Sequence, residues 1–297
     1  MKAVSLLLCA LSLTAAADDA LFVAKPFTAE NGFKGVEGPA CDAAGNIYAV
    51  NFQEKGTIGK MTPDGKAELF VTLPDGSTGN GIRFDRNGAM YVADYSGHNV
   101  LRVDMKTKAV SVFAHEGKMN QPNDLAIAAD GTLYASDPHW AQPPSGQLWR
   151  IDRDGSVHLL GDNLGTTNGL EVSPDGKTLY VNESRQNSVW AYPIKEDRTL
   201  GTRKLVKQFE AFDLDGMRCD VDGNLYVTLN GNGTVAKLSP SGEVLKEIDV
   251  LGPNPTNICL GGSDGRTAYV TEAKHQRLVT FRVDRPGLEW ERWQGEK

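Results

Sequence analysis

Six short polar side chains, Glu37, Asn80, Asn123, Asn168, Asp215 and Asn257, recur along the chain at intervals of 43, 43, 45, 47 and 42 residues. Gathered in one place, they would offer two carboxylates and four amides. Hard oxygen donors of this kind suit Ca²⁺ best, with Mg²⁺ or Mn²⁺ as alternatives. Zn²⁺ is the remaining alternative, and the absence of His and Cys from the set argues against it. Two carboxylates balance a divalent cation, and amide oxygens complete its shell without adding repulsion. Without a cation, two buried carboxylates close together are costly. The plainer alternative is a polar, water-filled channel.

The elements that must position these residues are visible in the stretch FDLDGMRCDVDGNLYV, residues 212–227. It reads as a strand, a tight turn at Asp222-Gly223-Asn224, and a returning strand. The same grammar follows each of the six polar residues. A tyrosine lies 11 or 12 positions on in every copy: Tyr48, Tyr91, Tyr134, Tyr180, Tyr226 and Tyr269. Each unit divides into four short strands separated by turn residues, which predicts an all-β fold, a six-bladed β-propeller with four antiparallel strands per blade. The innermost strand of each blade starts at one end of the central channel, so the six opening residues should converge on its mouth. The residues three beyond each tyrosine (Asn51, Asp94, Asp137, Glu183, Leu229 and Glu272) should form a wider ring that orients the inner one, or else cap turns. Closure of the ring requires a strand from one terminus. The N-terminal run Leu21–Ala24 is favoured over the C-terminal run Leu288–Trp293.

Composition narrows the function classes. The chain has 297 residues, 40% of them apolar, which is ample for a packed core. Thirty-one basic residues face 38 acidic ones, a net charge of −7, with no basic run, so nucleic acid is a poor candidate partner. Lys2, the apolar stretch Ala3 to Leu13 and the small residues Ala15-Ala16-Ala17 read as a secretory signal peptide over 1–17. That leaves 18–297 as a single propeller domain, exported to the periplasm or secreted, without a membrane span and monomeric. Beyond it, Cys41, Cys219 and Cys259 are odd in number and widely spaced, which suits buried thiols better than a disulfide framework, although one inter-repeat disulfide stays open. GGSDG at 261–265 matches a serine-hydrolase elbow but lacks the helix that should follow, and DVDGN at 220–224 lacks the later residues of an EF-hand loop. Both are turns.

Four of the repeat openings, EGP at Glu37, PND at Asn123, TNG at Asn168 and DGM at Asp215, resemble the senescence marker protein/gluconolactonase/luciferin-regenerating enzyme-like family across the mature chain. The resemblance implies a six-bladed propeller holding a divalent cation, often Ca²⁺, and hydrolysis of a lactone or related small ester. The family's metal ligands fall on Glu37, Asn168 and Asp215, with Asn123 a further ligand or a substrate contact. A bound cation would polarise the lactone carbonyl and activate water. Asp215 would be the catalytic base, or the nucleophile itself. Sugar-lactone hydrolases of the family often carry arginine two positions before Asn123; Gln121 stands there, which weakens a gluconate-type assignment. Substrate contacts are expected from Asn123, Gln121, Asn80, His139 and Trp140, the last two in the proline-rich insertion Pro138 to Gly146. His98 and His275 read as polar loop residues. The alternatives are a non-catalytic propeller whose cation is structural and whose face binds protein or glycan, and a carbon-bond-forming propeller of the strictosidine synthase-like type.

Overall fold

The computed structural model describes residues 20–294. The segment read as a signal peptide lies outside the described residues. Within them, 24 strands form six four-stranded antiparallel sheets, five built from consecutive strands. The propeller expected from the repeat is therefore the fold. Its blades pack face to face through apolar residues that alternate along each strand. One such cluster, between blades one and two, holds Tyr48, Val50, Ile82, Phe84 and Leu101, all buried. Stacked sheets of this kind solve a problem that a single four-stranded sheet cannot, since each would expose an apolar face alone.

The sixth sheet closes the ring with an N-terminal strand, as expected, but from a later segment. Lys25 and Pro26 pair antiparallel with Thr280 and Val279, while Leu21 makes only an isolated parallel bridge to Arg282. Proline at the outermost position costs no ladder bond, because that edge has no further neighbour. The alternative closing strand is a helix, Leu288–Gln294, with Glu289 and Glu291 in its first turn and Arg292 in its last. That charge order complements the helix dipole. Among the described residues no helix is long and apolar enough to cross a membrane.

The three cysteines of the described residues are free and buried. Cys41 and Cys259 face one another from the inner hairpins of blades one and six, their sulfurs 3.3 Å apart. The hydrogen bond to Cys259 and burial push the Cys41 thiol well above the ordinary range.

Candidate active site

Each inner strand is irregular where its opening residue sits. The ladder between the first two strands slips at Glu37/Ala40, Gly79/Ile82, Thr167/Leu170, Leu214/Met217 and Pro255/Asn257. In blade three the strand begins only at Leu125, leaving Asn123 and Asp124 ahead of it. Bulges bend a strand and re-aim a side chain. Here they turn the opening residues toward the axis.

Glycine after the opening residue makes the close approach of the strands possible. A Cβ on Gly38 would lie 1.9 Å from the Asn80 carbonyl oxygen, and φ there is +55°. Gly38→Ala is therefore expected to cost several kcal/mol, on the order of a severe core substitution. Urea unfolding reads the loss; a variant as stable as the parent would contradict it.

Asp215 is held from two sides. Its Oδ1 accepts from Asn168 Nδ2 at 3.0 Å and its Oδ2 from Asn230 Nδ2 at 2.9 Å. Asn254 Nδ2 in turn donates to Asn230 Oδ1 at 2.8 Å, fixing that amide. Asn182 Nδ2 donates to the Asp215 carbonyl oxygen at 2.5 Å. Glu37 Oε2 accepts the Gly38 amide at 2.7 Å. Both carboxylates keep a little accessible surface at the mouth, yet the surrounding protein strips most of their water. Burial pushes Asp215 up to about 7, against the pull of the asparagine hydrogen bonds. Burial, and then the charge of Asp215, raise Glu37 well above the carboxylate range.

Three amide oxygens complete the picture. Asn80 Oδ1, Asn168 Oδ1 and Asn182 Oδ1 are buried and accept no hydrogen bond. Orphaned acceptors are expensive. Unpaired oxygens beside two carboxylates that resist ionisation are the donor set a hard cation would satisfy, so these residues fit the group that the sequence pattern implied. Among the described residues no three His, Cys, Asp or Glu side chains gather to hold a metal, so a cation here would have two carboxylates supplemented by amides.

The sixth opening residue behaves differently. Asn257 Oδ1 accepts from the Ile258 amide at 2.8 Å and from Arg218 Nη1 at 3.3 Å, and its Nδ2 reaches Asp124 Oδ2 at 3.4 Å. It joins a buried ionic cluster and also reaches the Glu37 carboxyl, acting against the rise in its pKa. Asp124 sits at the cluster's centre, in a position that four other repeats fill with glycine. Arg83 Nη1 and Arg218 Nη1 each lie 3.2 Å from one of its oxygens. Arg83 Nε lies 3.1 Å from Glu289 Oε1 of the C-terminal helix, an ion-pair contact without hydrogen-bond alignment. Asp124→Asn leaves two buried guanidiniums short of a counter-charge and is expected to destabilise by about 3–5 kcal/mol, read by urea unfolding. An unchanged midpoint would mean that water compensates the arginines.

The wider ring does not orient the inner one. Asp94 accepts from Ser77 Oγ and the Thr78 amide, Asp137 from the Asn120 and Gln121 amides, Glu183 from the Gly165 amide, and Glu272 from the Asn254 amide. These acids clip the loop that enters their own blade, the turn-capping alternative. The side chains that do reach the inner strands stand one residue earlier. Ser136 Oγ accepts the Asp124 amide, Asn182 reaches Asp215, Thr228 Oγ1 donates to the Gly216 carbonyl and Thr271 Oγ1 to that of Asn257. Sequence reasoning missed them. Their signal was a polar residue two beyond the tyrosine in blades three to six, where blades one and two carry Val50 and Ala93. Arg83, Glu171 and Arg218 had a similar signal: a charge three beyond the opening residue of a strand otherwise apolar.

The expected substrate-facing residues are arranged around the mouth. Gln121 Nε2 donates to Tyr95 Oη at 2.7 Å, and its Oε1 accepts the Trp140 amide at 3.1 Å, so it anchors the insertion. His139, at φ 49°, bonds through Nδ1 to Ser145 Oγ at 2.9 Å. The exposed guanidinium of Arg185, from the next blade, stacks 5.6 Å from the Trp140 ring. The Asn123 backbone N–H donates to the Ser136 carbonyl at 2.8 Å, and its own carbonyl accepts from the Gly81 N–H at 2.8 Å. His98 Nδ1 contacts the Met119 carbonyl and His275 Nδ1 the Glu272 carboxylate, so both serve their loops.

Comparison with known proteins bears on this arrangement. Residues 36–274 match the model of the SMP-30/gluconolactonase/LRE-like region. A gluconolactonase from Zymomonas mobilis is 29% identical over 82% of this chain and 79% of its own. A 6-deoxy-6-sulfogluconolactonase from Pseudomonas putida is 33% identical over 48% of this chain and 50% of its own. Among solved structures, the calcium-binding protein regucalcin from Agrobacterium tumefaciens superposes with a TM-score of 0.78 at 19% identity, covering 91% of this chain and 95% of that one.

Proposed function

Since the chain belongs to the SMP-30/gluconolactonase/LRE-like family, we propose that it is a cation-dependent lactonase that adds water to a small cyclic ester and releases the hydroxy acid. The observation that carries this reading is the mouth of the channel: two carboxylates of raised pKa beside buried amide oxygens without donors. Glu37, Asn168 and Asp215 would hold the cation, with Asn80, Asn123 and Asn182 supplying further oxygens. Ca²⁺ suits this set best; Mg²⁺, Mn²⁺ and Zn²⁺ follow. Bound there, the cation would supply a Lewis acid for the lactone carbonyl and for the negative charge that develops on its oxygen.

The protein's own groups account for the remaining work. Asp215 would take a proton from the attacking water through whichever carboxylate oxygen the cation leaves free. Asn230, itself held by Asn254, keeps one carboxylate oxygen oriented, while the Asn168 amide can turn because its oxygen has no other partner. Trp140 offers a flat apolar surface beside the mouth, held in place by Gln121. The reading of residues 1–17 supports export to the periplasm or beyond, and the protein acts as a monomer on a small-molecule substrate.

The test is a panel of lactones, D-glucono-1,5-lactone among them, followed by acid release in a pH-indicator assay with chelator and with each divalent cation restored. Hydrolysis that disappears in chelator and returns best with Ca²⁺ is expected. A panel with no hydrolysis under any cation, together with cation-dependent melting, would replace this reading by the non-catalytic one.

A further inference from the structure

On the face opposite the mouth, the turns of blades two and three and the C-terminal helix enclose a cavity of about 440 Å³. That volume suits a small organic ligand. Two edge-to-face aromatic pairs contribute to its walls: Tyr91 with Phe113, centroids 5.0 Å apart, and Phe84 with Trp293 at 6.5 Å. The rim carries the guanidiniums of Arg102, Arg153 and Arg292.

The balance of charge in this cavity favours an anion. Each of its three acids has a partner of its own, although Asp130 also feels the charge of Arg153 and Asp85 acts on Tyr91. Asp130 pairs with Arg198 at 3.3 Å, Glu289 with Arg83 at 3.1 Å, and Asp85 Oδ1 accepts the Asn87 and Ala89 amides at 2.9 and 2.8 Å. Among the described residues, neither Arg102 nor Arg153 is in an ion pair with an acid. Arg292 donates one N–H to the Ile127 carbonyl at 2.6 Å, leaving its other donors over. Tyr91 stands directly across the ladder from Arg102; burial and then the charge of Asp85 raise its phenol, Arg102 and Arg153 act in the opposite sense, and the hydroxyl makes no hydrogen bond within the described residues. A phenol donor and guanidinium donors converging above aromatic walls is the chemistry that recognises a carboxylate on a flat apolar body.

We propose that this cavity is a second ligand site, separate from the channel mouth, for a small planar organic carboxylate. The carboxylate accepts from Arg102, Arg153 and the Tyr91 hydroxyl, and the body of the ligand lies between the aromatic pairs. The proposal does not depend on the lactonase reading, because none of these residues belongs to the ring.

Isothermal titration of the full chain with 2-naphthoate tests it, with 2-naphthalenemethanol as the neutral counterpart and inorganic phosphate as the anion without a body. Saturable binding of 2-naphthoate is expected, weakened about tenfold or more in an Arg102→Gln/Arg153→Gln variant and unchanged in Asp215→Asn. Both arginines are exposed, so the double variant should fold, and its melting curve checks that it does. Any of four results overturns the proposal: no saturation by about 10 mM, equal affinity for the alcohol, equal affinity for phosphate, or full affinity in the double variant.

Discussion

Asp215→Asn is expected to lower kcat on any lactone the protein hydrolyses by about three orders of magnitude or more, the scale of losing both a base and an electrostatic contact. The same substitution should leave the chelated protein at least as stable as the parent. The reason lies in the neighbours. Asp215 accepts one hydrogen bond from Asn168 and one from Asn230, and an amide in its place would set a donor against one of them. Asn230 cannot turn without losing Asn254, whereas Asn168 can, because its own oxygen accepts nothing. Turning Asn168 satisfies the new amide, and a desolvated negative charge next to Glu37 has gone. Initial rates in the indicator assay and thermal melting in chelator measure the two halves. Near-parental turnover would remove Asp215 from the chemistry; a sharp fall in stability would mean that its charge is needed for folding.

The second large effect joins pH to the cation. Burial pushes Asp215 and Glu171 each up to about 7, far above the value of an exposed carboxylate. A carboxyl whose folded pKa is raised favours folding while protonated in both states, below its unfolded value near 4. That contribution is lost as pH climbs through the folded value, so these groups make the chelated protein less stable at pH 8 than at pH 5.5. The loss over this window is on the order of 2 kcal/mol for each group. On the proposed reading a divalent cation would act in the opposite sense, because Glu37 and Asp215 would bind it as carboxylates. The rise in melting temperature on adding Ca²⁺ should therefore be small at pH 5.5 and large at pH 8. A rise of equal size at both would separate cation binding from the ionisation of the ring. A chelated protein that gains stability from pH 5.5 to 8 would show that these two carboxyls are solvated after all.

Much of the molecule is legible in the order of its residues. The recurrence of a polar opener, a Gly-bearing turn and a tyrosine announces repeated hairpins, and about 43 residues leave room for four strands. Six such units close a ring because each blade can hide its apolar faces only against another. Glu37, Asn168 and Asp215 reach one end of the channel for the same reason: equivalent positions in a ring of repeats meet at the axis. The Gly38, Gly81, Gly169 and Gly216 that follow an opener are part of the same local signal, since only a residue without Cβ lets the next inner strand come so near.

What the order of residues left open depends on partners far apart in the chain. Asn257 occupies an equivalent place to Asn168, yet it turns into the channel because Arg218 and Asp124 wait there, 39 and 133 residues away. Arg83 and Arg218 converge on Asp124 from two other blades, which nothing in its own repeat announces. The run Leu288–Trp293 offers apolar and charged residues that fit a strand or a helix; the waiting guanidinium of Arg83 beneath the channel gives Glu289 a partner that the helix can present. A repeated backbone determines where side chains start. Burial without water then makes each buried charge and amide depend on whichever group from another blade can satisfy it, and that choice exists only once the ring has closed.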